Sequence, residues 1–360
     1  MKKITMNLFT NDETYAQYFI RYNRQLTNEN RYTLKVYTDK EKFAQAISNQ
    51  KMDILLTDET DIDFAKGNFN EIVFLMGQNI EKDNTIYKFR PINTIISQSL
   101  AIYYENNGAP KNEKGAVNEE KVITFLSGSG GEGKTILSLC LAKCLAQYNK
   151  NVLYLNLETH HTMDLYFANK EQSSIELFYY LKNNVDKLVA KIEGLKSTDS
   201  QTNIDYVYYP VSPDEIGMLS NENIDDLIEA IKRTNNYDYI IVDTDAKIDE
   251  KCEHLLSITN EVFWILESTE KSFHHTQFLL EKQLKWDRNS QNIPIHFILN
   301  KKKDVMFPSY NSYNFSIEEK IDYQKNWDLL DEVDKLQIDS EVGRRLYQII
   351  QDEQHFVVEV

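Results

Sequence analysis

Ser127-Gly128-Ser129-Gly130-Gly131-Glu132-Gly133-Lys134-Thr135 is the stretch on which the reading of this chain turns. Val122-Ile123-Thr124-Phe125-Leu126 precedes it, a short apolar run that predicts a buried strand. Ile136 to Ala146 follows with the composition of a helix. Strand, glycine-rich turn and helix in that order are the setting of a phosphate-binding loop, and Gly128 with Gly133-Lys134-Thr135 falls on the G-x-x-x-x-G-K-[ST] spacing. Glycines at 128, 130, 131 and 133 let the backbone curl so that successive N–H groups converge, with Ser129 and Glu132 between them. The helix N-terminus adds its partial positive charge. On this reading Lys134 reaches the β- and γ-phosphates of a nucleoside triphosphate and the Thr135 hydroxyl ligands Mg²⁺. A glycine turn with a chance GKT is the competing reading. The register of strand and helix favours the nucleotide.

The 360 residues suffice for two domains, each with its own core. Hydrophobic residues at 41% and charged residues at 27% describe an ordinary globular chain, and no uncharged apolar run is long enough to span a bilayer. Asn7, Thr10, Asn11 and Asp12 interrupt the apolar core that a signal peptide would need after Lys2-Lys3, so a cytoplasmic protein without direct membrane insertion is expected. Three cysteines make no disulfide framework, and Cys140 and Cys144, one helical turn apart, read as small core residues. A formal charge of -16 argues against nucleic acid as a partner, because that surface repels phosphate backbones. Lys301-Lys302-Lys303 is the densest basic run and reads as a solvated loop after a strand.

Residues 1–105 alternate short apolar runs with amphipathic ones. Strands are expected at Ile4–Phe9, Tyr32–Val36, Met52–Asp58, Glu71–Met76 and Thr85–Pro91, with Asp12 capping one helix and another from Ile92 to Tyr104. Alternating βα units predict a parallel sheet covered on both faces. Five such units ending in Arg90-Pro91 resemble the receiver domain of bacterial response regulators, a flavodoxin-like fold. Asp58 takes the place of the phospho-acceptor aspartate, and Arg90-Pro91 stands where that family has lysine-proline. The two acids that hold Mg²⁺ in the family correspond to Thr10 and Asn11, or with a shift to Asp12 and Glu13. Without a metal beside it an aspartyl phosphate loses most of its charge stabilisation, so a pseudo-receiver used for contacts is expected, with Asp58 capping a loop. Residues 106–119 are polar, carry Gly and Pro, and read as a linker.

Residues 120–360 build outward from the loop. Asn151–Glu158 is expected as the second strand, ending in an acid. Amphipathic runs follow at Ser173–Leu181 and Val185–Ile192, then a strand at Tyr206–Pro210 and a helix at Ile224–Ile231. Tyr239-Ile240-Ile241-Val242-Asp243 is an apolar strand ending in the aspartate that organises a Mg²⁺ shell. Glu261–Leu266 and Pro294–Asn300 complete the parallel strands, with a helix at Ser272–Leu284 between them. Pro308–Phe315 reads as a loop, Val342–Ile350 as the last helix and Phe356–Val360 as a short apolar tail. The fold class expected is α/β, two doubly wound parallel-sheet domains.

Gly130-Gly131 set close to Gly133-Lys134-Thr135 resembles the deviant Walker A loop of the MinD/ParA family. Glu158 after the second strand, Tyr237–Thr244 at Walker B and Asn300-Lys301 ending a late strand agree with it. The resemblance implies ATP, with Asn300 reading the adenine. A receiver-like domain joined to such an ATPase is the layout of TadZ/CpaE proteins, to which Tyr209–Glu215 is also similar. That likeness implies an ATP-dependent homodimer that helps assemble a Tad (Flp) pilus with other secretion-system proteins, at the cell pole or the inner membrane face. Two departures bear on catalysis. The family's signature lysine falls at Ser129, and a charge supplied in trans to a phosphoryl group is worth on the order of 10³–10⁵ in rate. The switch aspartate is replaced by Glu158, whose longer arm changes how it would place water. Weak or absent hydrolysis of ATP to ADP and phosphate is expected, with Lys134 and Glu158 as the catalytic groups.

Three other readings compete. Bacterial tyrosine kinases share this loop lineage, but here Asn156-Leu157-Glu158-Thr159-His160-His161 lacks their second acidic motif and Tyr347 stands without a terminal cluster. A DNA-segregation ATPase meets the acidic balance. A membrane cycle of the MinD kind needs a basic amphipathic terminal helix, whereas Gln351–His355 is not basic. The pairs His160-His161 and His274-His275 read as loop or surface histidines rather than metal ligands.

Overall fold

The computed structural model describes residues 3–25, 31–48, 50–78, 83–109, 120–167, 176–234, 236–283, 293–325, 327 and 340–356. In chain order the first elements are β1 (Ile4–Phe9), α1 (Glu13–Gln25), β2 (Tyr32–Tyr37), α2 (Lys40–Ile47), β3 (Met52–Thr57), β4 (Phe69–Met76), β5 (Thr85–Tyr87) and α3 (Ile92–Asn107). The loop region opens with β6 (Lys121–Ser127) and α4 (Lys134–Gln147), then β7 (Val152–Asn156), α5 (Glu176–Asn183) and α6 (Leu188–Leu195). Two short strands, β8 (Lys196–Thr198) and β9 (Asp205–Val207), lead to α7 (Pro213–Gly217), α8 (Asn221–Arg233) and β10 (Tyr239–Asp243). The rest is α9 (Glu250–Ser257), β11 (Glu261–Glu267), α10 (Glu270–Phe278), β12 (Ile295–Lys302), β13 (Ile317–Asp322) and α11 (Ser340–Phe356).

The chain divides into two compact units, 1–117 with 175–196 and 226–236, and 118–174 with 197–225 and 237–360. The contacts therefore group 175–196 and 226–236 with the first unit, although the sequence reading assigned everything from 120 onward to the second. Most of the 106–119 stretch and the tail at 357–360 lie outside the described residues.

The first unit holds a five-stranded sheet in the order β2-β1-β3-β4-β5, with parallel pairing throughout. That order is flavodoxin-like. Phe9 stacks on Phe43 of α2 at 4.8 Å between ring centres, inside a core that includes Ile47, Leu55 and Phe69. Helix α6 belongs to this unit: a Cβ on Gly194 would sit 3.4 Å from that of Ala101 in α3. Glu193, fully buried, pairs with Arg31 and, at 3.2 Å, with Lys196. A carboxylate there needs both cations, because an unpaired buried charge is costly.

In the receiver-like site Asp58, expected to cap a loop, is paired with a cation. β5 ends at Tyr87, where Arg90 N–H donates to Tyr87 O, and it is Lys88 whose Nζ lies 3.1 Å from Asp58 Oδ2. Asp12 does cap α1, accepting from Tyr15 N–H at 2.9 Å. Asn11 N–H donates to Glu59. Among the described residues no group of three His, Cys, Asp or Glu side chains could hold a metal.

The second unit carries an eight-stranded sheet, β13-β12-β11-β6-β10-β7-β9-β8. Its central strands pair in parallel and are buried on both faces, which accounts for their unbroken apolar runs. Period-two alternation sorts them. Phe263 and Ile265 join the cluster under α4 and α11, while Val262, Trp264 and Leu266 join the one under α9 and α10. Two strands escaped the sequence reading: β8 is three residues long, and β13, Ile317-Glu318-Glu319-Lys320-Ile321-Asp322, carries the charges of an edge.

Helix α4 is apolar on almost every face and buried accordingly. It meets α11 at a small-residue contact, where a Cβ on Gly343 would come 2.4 Å from Cys140 O and 2.9 Å from Cys144 Cβ. Both cysteines are buried and form no disulfide, filling the narrow space that the contact leaves. Gly343→Ala therefore forces the helices apart and should cost about 1–3 kcal/mol, lowering the melting temperature in calorimetry. An unchanged melting temperature would exclude this close contact.

Candidate nucleotide site

The loop between β6 and α4 lies at the carboxyl edge of the parallel strands. There β6 stands between β11 and β10, so later chain segments depart to either side, the position where doubly wound sheets bind ligands. Gly131 and Gly133 have φ of 81° and 98°, backbone that residues with a Cβ adopt only at a cost. Gly133 has a second reason to lack a side chain, since a Cβ would lie 2.2 Å from Asn300 Nδ2. Gly128 abuts Thr276, and a Cβ on Gly130 would meet nothing within 4 Å.

Lys134 is buried and donates to Ser127 Oγ at 3.0 Å. Thr135 and Lys134 both act on the carboxylate of Asp243, drawing its pKa down while complete burial raises it, with the net shift upward. Asp243 Oδ2 accepts from the Tyr154 hydroxyl at 2.9 Å and from Asn156 Nδ2 at 3.5 Å, and its Oδ1 is buried with no hydrogen-bond partner. Glu158 is also held above the ordinary carboxylate range, first by burial and then by the Asp243 charge, with Lys134 opposing. Two carboxyl groups thus share one ammonium.

The arrangement fits Mg²⁺, a hard cation that takes oxygen ligands. An orphaned carboxylate oxygen beside a threonine hydroxyl supplies two of them, and a second positive charge would relieve the repulsion between Asp243 and Glu158.

Glu132 plays a structural part in the loop. It is 2% exposed, accepts from Ser272 Oγ at the start of α10, and accepts weakly from Ser129 N–H at 3.4 Å. Ser129, in the place of the family's lysine, has its hydroxyl 3.1 Å from His275 Nδ1. Asn300 Nδ2 donates to Glu132 O at 2.8 Å, and Lys301 Nζ donates to Gly131 O and Glu267, each at 2.6 Å. The expected solvated lysine run is therefore partly a loop brace. The histidine pairs also divide: His160 and His274 are exposed, His275 touches the loop, and His161 is buried with its ring edge-on to Tyr209 at 4.9 Å.

Gly128, Ser129, Gly130, Gly131, Glu132, Gly133, Lys134, Thr135, Asp243, Glu158 and Asn300 all converge on this end of the sheet. Sequence reasoning missed Tyr154, Asn156, Ser272 and His275. Period-two alternation could have put Tyr154 and Asn156 on one face of β7, but nothing local tied them to Asp243. Tyr209 was also missed as a brace; its hydroxyl donates to Asn156 O. A cavity of about 260 Å³ opens beside the loop, lined by Lys134, Thr135, Glu158 and Asn300 and also by Tyr323, Gln324 and Trp327.

Residues 120–293 match the family of AAA domains. The tyrosine-protein kinase CpsD of Streptococcus pneumoniae is 28% identical over 147 residues, 39% of this chain and 62% of that protein. A putative septum site-determining protein MinD of Emiliania huxleyi is 28% identical over 135 residues, 36% of this chain and 46% of that one. The chain thus spans about half to three fifths of the length of these curated relatives. A ParA family ATPase from Chlorobium tepidum superposes with a TM-score of 0.52 at 20% identity, covering 63% of this chain and 96% of that structure. These findings liken the chain to MinD/ParA P-loop ATPases, with which it shares a doubly wound α/β fold.

Burial raises the Glu132 carboxyl from 4.5 to about 7. Folding raises this pKa, so the folded chain holds the proton more tightly than the unfolded one. The resulting stability is full below about pH 4.5 and is lost as pH climbs through about 7. Glu132→Gln keeps an oxygen for Ser272 and abolishes the titration. Above about pH 8 the variant should be more stable than the natural chain by at most on the order of 3 kcal/mol, with the gap closing toward about pH 4.5. Parallel pH profiles in urea unfolding would contradict the shift.

Proposed function

We propose that the second unit is a Mg²⁺–ATP switch whose loaded form pairs with a second copy of the chain. The chain then acts as a localisation or assembly factor of a Tad (Flp) pilus or related secretion system, at the cell pole or inner membrane face through other assembly proteins. The observation that carries the nucleotide reading is the convergence of Lys134, Thr135 and the orphaned oxygen of Asp243 on one loop. ATP is the nucleotide favoured by the family likeness. When bound, Mg²⁺ would neutralise phosphate charge between Thr135 and Asp243.

Slow hydrolysis fits the same residues. A carboxyl group raised by burial and by a neighbouring carboxylate gives up its proton reluctantly, which suits Glu158 poorly to the part of a water-activating base. Ser129 supplies no cation in place of the family's lysine. The assembly role rests on the pairing of a receiver-like unit with an ATPase unit and on Tyr209–Glu215. The Asp58–Lys88 ion pair suits a first unit that offers surface rather than chemistry.

A bound nucleotide buried between two copies ties affinity to dimerisation, each strengthening the other. Sedimentation at micromolar protein should give a dimer with Mg²⁺ and ATP and a monomer without. Lys134→Ala should weaken ATP binding in calorimetry by about 1.5–3 kcal/mol and abolish the shift. A monomer under both conditions would reject the switch, and unaltered affinity in the variant would reject the role of Lys134.

The similarity to CpsD favours a second reading, a protein-tyrosine kinase. Incubation with labelled ATP and Mg²⁺ distinguishes the two: absence of phosphotyrosine is expected, and its appearance on any tyrosine of the chain would favour the kinase.

A further inference from the structure

A second cavity, of about 350 Å³, is lined by the loops that follow β7 and β10 and by residues of α7, α8 and α9. That size is at the small end of the roughly 300–1,000 Å³ typical of ligand sites. Leu157, in its wall, donates its N–H to Asp243 O at 2.8 Å. Thr159 and Asp245 also line it, and the Thr159 N–H donates to Asp245 Oδ2 at 3.0 Å, tying the two loops together.

The lining has two chemical characters. Leu157, Ile216, Leu219, Ile224 and Leu255 are apolar, and Cys252 joins them. Burial, then the charges of Asp249 and Glu253, push its thiol up to about 12, so it stays neutral. The charged members are two acids and two bases, Asp245, Asp249, Lys247 and Lys251, whose formal charges cancel. The fold engages three of them. Asp245 holds Thr159, and Lys251 Nζ donates to Ile216 O at 3.0 Å and Gly217 O at 3.1 Å. Asp249 Oδ1 accepts from Cys252 N–H at 3.1 Å, at the start of α9. Asp249 Oδ2 and Lys247 Nζ stand 3.6 Å apart, longer than a hydrogen bond, and the Lys247 side chain is 79% exposed. A loosely held pair of opposite charges beside an apolar wall complements a molecule that carries a cation, an anion and a hydrocarbon body. A singly charged ligand would satisfy one member of the pair and face its like in the other; a zwitterion satisfies both.

We propose that this cavity binds an apolar α-amino acid, with its carboxylate on Lys247, its ammonium on Asp249 and its side chain among Ile216, Leu219, Ile224 and Leu255. The site is independent of the nucleotide reading, because the two cavities share no lining residue.

Calorimetry on the full chain with L-leucine, 4-methylpentanoate and 3-methylbutylamine tests it; the last two are leucine without its ammonium and without its carboxylate. L-Leucine should bind saturably, one per chain, at least about threefold tighter than either analogue, the size of one exposed charge contact. Lys247→Gln should weaken L-leucine by about that factor without weakening 3-methylbutylamine, which has no carboxylate to lose. Cys252→Phe should abolish binding by filling the apolar part. Lys247→Gln, at an exposed position, stands as the test if Cys252→Phe fails to fold. The site is overturned if L-leucine does not bind the natural chain, if either analogue binds as tightly, or if Lys247→Gln leaves L-leucine affinity unchanged. Mg²⁺–ATP titrated into the same chain reads the nucleotide site separately. ATP binding without leucine binding overturns this proposal alone, and leucine binding without ATP binding overturns the nucleotide reading alone.

Discussion

One buried ammonium facing a buried carboxyl group and a half-buried one governs the second unit. Lys134 and Asp243 lie within the protein and Glu158 is half-buried beside them, where charges are poorly screened and each imbalance is expensive. Burial pushes both acids upward against the pull of the single lysine, and one oxygen of Asp243 is left without a hydrogen-bond partner. A loop rich in N–H groups and a helix N-terminus add partial positive charge but no full unit of it. Magnesium and a triphosphate together would complement this arrangement of charges.

The surrounding fold keeps that imbalance from relaxing. β6 and β10 are neighbours in register, Phe125 beside Asp243, so the carboxylate emerges next to the strand that feeds the loop. Tyr154 and Asn156 on β7 hold its second oxygen, and the Tyr209 hydroxyl secures the end of β7 by bonding Asn156 O. Beneath the loop, α4 is pinned by the close approach of Gly343. Above it, Ser272, His275, Asn300 and Lys301 bond to loop atoms from α10 and β12. Most of these groups bond to backbone or to one another, which leaves Lys134 and Thr135 as the side chains aimed at chemistry.

The first unit follows a similar economy with a different outcome. Its sheet order is flavodoxin-like, and Asp58 pairs with Lys88. The buried Arg31–Glu193–Lys196 group ties α6 into this unit, so its core is completed by a segment that arrives long after its own sheet has ended.

Much of this was legible in the sequence. Parallel strands buried on both faces print uninterrupted apolar runs, which located β1, β3, β6, β7, β10, β11 and β12 to within a few residues. The glycines, Lys134, Thr135 and Asp243 followed from spacing, because a phosphate loop is a local object whose geometry is written in consecutive residues. The charged edge strand β13 carried no such signature. Spacing likewise could not show that Lys88 meets Asp58, since β5 ends at Tyr87 rather than running on to Pro91. Nor could it show that Tyr154 serves Asp243 across 89 residues, that Asn300 braces the loop, or that 175–196 packs with the first unit. The chain by itself determined the elements and the loop, which depend on neighbours in sequence. Tertiary structure decided the partners of each buried charge, because such a group is satisfied by whatever polar atom the packing brings within reach.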